Sequence, residues 1–189
     1  MKKTCAVAAS LAMMLAVCGL CSAQAKDAPK PKTITSILDG GIKSVESEFV
    51  PAAEAMPEDK YGFTPTNGEF KGVRTFGQQV KHVAAVNYMV AAAILGEKPP
   101  VDLGGENGPD SIKTKAEIVK FIKDSYAYAH KAVATVNAEN ATGEVQLPFG
   151  KFTRMGLSML VVGHSFDHYG QMVEYLRMNG IVPPASRGQ

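Results

Sequence analysis

The run from Met155 to Met178 contains no proline and carries His164 and His168 four residues apart. A stretch of that length outruns an ordinary strand and reads as one helix. Residues four apart share a helical face, about one turn from each other. Both imidazoles can therefore reach one metal ion. The stripe through them continues in Leu157, Leu160 and Val161 on one side and Met172 and Tyr175 on the other. It predicts that the pair points into a core. The same spacing also suits two hydrogen-bonded core histidines, or two polar residues near a surface, and spacing alone does not choose between them.

Three further runs have helical spacing. Ile34 to Met56 repeats apolar residues at Ile34, Ile37, Leu38, Ile42, Val45 and Phe49, with Gly40, Gly41 and Pro51 predicting a kink or an early stop. Met56 to Glu69 is a loop, punctuated by Pro57, Gly62, Pro65, Asn67 and Gly68. A second helix is expected from about Val73 to Leu95, ended by Gly96 and Pro99-Pro100, before a Gly- and Asp-rich connection from Val101 to Ile112. Thr114-Lys115-Ala116-Glu117 has the capping-box pattern, so a third helix is expected from Lys115 to about Ala138. Asn140 to Gly150 is a turn-rich link in which no strand is read, and the fourth helix stops at Asn179-Gly180. Each helix must bury one stripe, and an all-α four-helix bundle over residues 33–184 is the natural solution, with 185–189 as a tail.

The first 25 residues are read as a signal peptide. Met1-Lys2-Lys3 is a positive n-region, Cys5 to Leu20 is apolar, and Ala23-Gln24-Ala25 predicts cleavage after Ala25. Residues 26–32 form a Lys/Pro-rich flexible lead-in. The expected product is an exported protein, periplasmic or secreted, with no stable membrane anchor. All three cysteines lie within residues 1–25, so the mature chain has no disulfide, no thiol nucleophile and no sulfur ligand. Any metal site must use nitrogen and oxygen donors. The net charge of +2 comes from Lys2 and Lys3, and no basic stripe suggests a nucleic-acid partner. Gly104, Gly105 and Gly108 have no following Lys-Ser/Thr, which excludes a phosphate-cradling P-loop.

His82 lies on a second-helix stripe of Gln78, Gln79, Ala85, Val86, Met89 and Ala93, expected to face the bundle interior. A buried, hydrogen-bonded imidazole is the alternative to a ligand there. His130, on the third helix, is read as a wall or partly exposed position. Gly156, Gly163 and Gly170 share a face away from the histidines, read as close helix approach and as a possible homodimer contact.

Three segments carry a resemblance: Met56-Pro57-Glu58-Asp59-Lys60-Tyr61-Gly62-Phe63-Thr64-Pro65, Gln79 to Ala84 around His82, and His164-Ser165-Phe166-Asp167-His168 continuing to Pro183-Pro184. Together they resemble the DinB family, of the DinB/YfiT-like metalloenzyme superfamily, over essentially the whole mature chain. The resemblance implies a four-helix bundle with one histidine on the second helix and the H-x-x-x-H pair on the last. Carried over, the implied metal ligands are His82, His164 and His168. Three histidines suit Zn2+, Ni2+, Fe2+ or Mn2+, and imidazole discriminates poorly among them. Three protein ligands with an open position is the catalytic pattern for zinc. The resemblance implies a metal-dependent hydrolase or a thiol-type transferase on a small substrate. A non-catalytic metal-binding or interaction protein of the cell envelope is the alternative. No general base can be named: Asp167 points off the ligand face, and Gln171 lies nearer it. Affinity for metal is expected to fall as pH drops through ~6.5, the ordinary histidine value.

Overall fold

A computed structural model of the chain describes residues 31–188. The leader expected over 1–25 and most of the lead-in lie outside the described residues. The elements are α1 (Ile34–Ala55), a 3-10 turn (Glu58–Lys60), α2 (Phe76–Leu95), α3 (Lys115–Val133), β1 (Glu144–Leu147), β2 (Gly150–Thr153), α4 (Arg154–Met178) and a second 3-10 turn (Pro184–Ser186).

All four α-helices among the described residues begin on a threonine. The hydroxyls of Thr33, Thr75, Thr114 and Thr153 accept hydrogen bonds from the backbone N–H groups of Ser36, Gln78, Glu117 and Gly156. At Thr75 and Thr114 the side chains of Gln78 and Glu117 also reach back, completing two capping boxes. The first of these starts α2 three residues later than the apolar pattern suggested. Gly96 ends α2 in the left-handed region (φ 73°), where a side chain would be strained.

Two helix ends differ from the sequence expectation. Pro51 does not stop α1, which continues to Ala55. Ala52 and Ala53 are fully buried, and the carbonyls of the last turn find outside donors. The Tyr61 hydroxyl donates to Ala53 O at 2.7 Å, and Lys115 Nζ donates to Glu54 O and Met56 O at 2.7 Å each. Packing and these bonds outweigh the one N–H that proline removes. α3 ends at Val133 rather than near Ala138, because side-chain bonds replace the helical ladder. Asn140 Nδ2 donates to Thr135 O, and Asn137 Oδ1 accepts from the N–H groups of Glu139 and Asn140.

The link after α3 holds a small antiparallel hairpin, which corrects the expectation of no strand. Glu144 pairs with Thr153, and Leu147 pairs with Gly150 across the turn. Four-residue strands are too short for alternation to stand out from a turn-rich stretch.

The helices pack in a ring: α1 lies against α3 and α4, and α2 lies against the same two. Ile42, Val45 and Phe49 of α1, Val80 and Val83 of α2, Ile122 and Tyr126 of α3, and Leu157, Met172 and Leu176 of α4 fill the centre with almost no exposure. α2 and α4 are thus neighbours, and the His82 region can meet the His164–His168 turn. Gly163 and Gly170 have nothing within 4 Å of a notional Cβ, so they do not serve close approach within the chain.

Candidate metal centre

His164 and His168 rise from α4 and His82 from α2, and the three rings converge. Their centroids are 4.5 Å (His164–His168), 4.9 Å (His82–His168) and 5.0 Å (His82–His164) apart. One nitrogen from each lies within 4.8 Å of the other two. His82 Nε2 and His164 Nε2 are 3.2 Å apart. Two nitrogens bound at ~2.0–2.1 Å to one tetrahedral ion would be separated by about 3.4 Å, so this spacing fits a shared ion.

The far sides of two rings are held. His82 Nδ1–H donates to the carbonyl oxygen of Glu106 at 2.6 Å. His168 Nδ1–H donates to Gln79 Oε1 at 2.5 Å, and Gln79 Nε2–H donates to Gln171 Oε1 at 2.8 Å. Gln171 Nε2 lies 3.4 Å from Asp167 Oδ2, which ends the chain at the surface. These bonds place the protons of His82 and His168 on Nδ1 and leave both Nε2 atoms with a free lone pair, that of His82 facing His164. Among the described residues the buried Nδ1 of His164 has no hydrogen-bond partner, so nothing on that side sets the ring's tautomer.

The setting favours neutral imidazoles. Burial holds His164 down at about 4, with the neighbouring His82 adding to the effect. Burial holds His168 at about 4 as well, followed by His164 and His82. His82 is lowered, first by burial and then by the Arg74 guanidinium. Neutral rings are the form that binds a cation.

The connection after α2 roofs the site. Arg74 Nε–H donates to the same Glu106 oxygen at 3.4 Å, and Arg74 Nη2 pairs with Glu106 Oε2 at 3.1 Å. The roof is pinned from below by Lys81, which is 91% buried on its α2 position (9% exposed). Lys81 Nζ donates to Pro109 O at 2.8 Å and Ile112 O at 3.2 Å. Gly108 (φ 76°) lies so close to Lys81 that a Cβ there would collide with it.

The centre is less enclosed than the apolar stripes suggested. His168 is buried, but His82 and His164 are half-buried, as are Val86, Met89 and Ala93 along the His82 stripe. Val86 and Met89 form a wall of an open cleft, while Gln79 and Ala85 of the same stripe are buried as expected. His130 stands apart, with its ring nitrogens 2.6 Å from Asp39 Oδ1 and 3.0 Å from Glu46 Oε2, tying α3 to α1. Gln79, Arg74, Lys81 and the Glu106 carbonyl were not singled out from sequence. Gln79, three residues before His82 on a shared stripe, carried a readable signal, whereas a backbone carbonyl in a loop carries none.

Four packed helices with three convergent histidines define a helical fold with a cluster able to hold a metal ion. The sequence profile of the DinB superfamily matches residues 42–172, and the chain belongs to that superfamily. Among solved structures, a DinB-like protein from Bacillus cereus ATCC 10987 is similar in fold, with a TM-score of 0.57 and 17% identity over 77% of this chain and 94% of that one. No curated protein matches the sequence.

Proposed function

We propose that His82, His164 and His168 hold one divalent metal ion and that the protein is an exported, metal-dependent hydrolase or thiol-type transferase acting on a small substrate. The observation that carries this is the direction of the rings: two Nδ1–H groups are tied outward, the Nε2 atoms of His82 and His164 face each other, and one nitrogen of each of the three rings lies within 4.8 Å of the others. When bound, such an ion supplies Lewis acidity toward a water, a thiol or a carbonyl group. The half-buried rim leaves room for a substrate beside the three ligands. The chain's own contribution is to orient the rings through Glu106 and Gln79 and to keep them neutral through burial. Zn2+, Ni2+, Fe2+ and Mn2+ all suit the donor set.

A second reading, non-catalytic metal binding in the cell envelope, draws support from the nearby carboxylates. Glu106 is engaged with Arg74, and Asp167 contacts Gln171, so neither hydrogen-bonds a triad ring through its carboxylate. One experiment separates the two readings. Untagged protein is analysed for bound metal, stripped, reloaded with each of the four ions and assayed on small esters, amides and thiol-acceptor substrates. Turnover that appears only with metal and vanishes in His168→Ala supports the enzyme. Stoichiometric metal with no turnover in any form supports the second reading, and no metal in any preparation refutes both.

A further inference from the structure

Beside the triad, under the roof formed by the α2–α3 connection, is a cavity of about 370 Å³. Ala85, Val86, Met89 and Leu103 give it an apolar wall, and His82 and Glu106 stand at its edge. Its size is at the small end for ligand pockets, which run ~300–1,000 Å³. His82 is therefore shared between the metal cluster and an apolar chamber.

The polar edge of this chamber is formed by His82 and Glu106, with Arg74 bound to Glu106. Arg74 Nε and His82 Nδ1 converge on one oxygen, the Glu106 carbonyl. The Glu106 carboxylate rests on Arg74 Nη2 at 3.1 Å, yet its side chain is 86% exposed. An ion pair that exposed is weak, and it marks where a carboxylate sits on the guanidinium. A planar fork is suited to that group.

We infer that the cleft binds a small amphiphilic carboxylate, its anionic head on Arg74 at the cleft edge in place of the Glu106 side chain, on the Nδ1 side of His82, and its apolar tail along Val86, Met89 and Leu103. The inference rests on the metal-centre reading and names its substrate class. Met89 also lines a second cavity that turns polar at Glu97, Glu144 and Arg154, which limits the useful tail length.

The test is calorimetry on zinc-loaded full-length mature protein with straight-chain carboxylates from acetate to octanoate and with 1-alkanols of matched length. Affinity should rise about three- to four-fold per added methylene before levelling off. Carboxylates should bind tighter than the matched alkanols, and Arg74→Gln should shrink that preference about tenfold. Val86→Asp, and separately Leu103→Asp on the roof, should retain zinc and remove the length dependence. Length-independent binding in the parent protein, or an undiminished trend in both Asp variants, would overturn the inference and leave the metal centre standing. Failure of the parent protein to take up zinc by elemental analysis would refute the metal-centre reading itself, and this inference with it.

Discussion

Gln79 does for His168 what the Glu106 carbonyl does for His82: it fixes the proton on Nδ1 and aims Nε2 inward. Removing such a partner commonly costs ~10–100-fold in metal affinity. Gln79→Leu should show a loss in that range by competition with a chelating dye, while its thermal transition still shows a folded bundle. His130→Ala should leave metal affinity unchanged, because its ring contacts Asp39 and Glu46 instead. The pH dependence also belongs to single residues. His164 and His168 titrate at about 4 in the folded apo-protein, against ~6.5 in an unfolded chain. Between those values the unfolded state binds more protons than the folded state. The stability of the apo-protein should therefore fall as pH drops from ~6.5 toward ~4 and change little through these groups above ~6.5. Protons should also compete with metal at a lower pH than free imidazole would suggest, because burial lowers all three rings. Urea midpoints and metal titrations across pH 4 to 8 check both. The H-x-x-x-H pair was legible because four residues make one helical turn. The burial that moves these values was not, since it depends on how far α2 and the roof cover the rings.

At the scale of elements, helix starts depend on threonine hydroxyls. Thr114→Ala should destabilise the protein by about 0.5–2 kcal/mol in chemical denaturation, the usual cost of losing a side-chain cap. Its capping box was legible as Thr-x-x-Glu. The equivalent Thr75-x-x-Gln78 was present too, but the apolar run of Val73 drew the boundary outward. The α3 end and the Pro51 passage were not legible, because both depend on partners far along the chain or on side-chain turns. Lys115, for example, holds the Glu54 and Met56 carbonyls at the end of α1, 61 and 59 residues earlier. The roof over the site is likewise a tertiary feature. Lys81→Met keeps the aliphatic stem and removes the donor to Pro109 and Ile112. Amide exchange across residues 101–112 should quicken in that variant, while exchange in the α4 core around Leu157 and Leu176 stays slow.

For the whole molecule, the fold class followed from four amphipathic runs, and the ring order did not, since periodicity says which face is buried but not against which neighbour. No helix among the described residues is long and apolar enough to cross a membrane. Export rests on the composition of the first 25 residues, and intact mass of protein recovered from the periplasm or medium should begin at Lys26; a retained leader or a lipid on Cys18 or Cys21 would contradict it. The convergence of α2 and α4 on one ion is the claim on which the rest depends. X-ray absorption at the edge of the bound metal, on untagged protein, tests it most directly. A first shell containing three imidazole nitrogens, at ~2.0–2.1 Å for zinc, and losing one of them in His82→Ala would agree with it. A shell that is unchanged in His82→Ala and loses its imidazole in His130→Ala would contradict it.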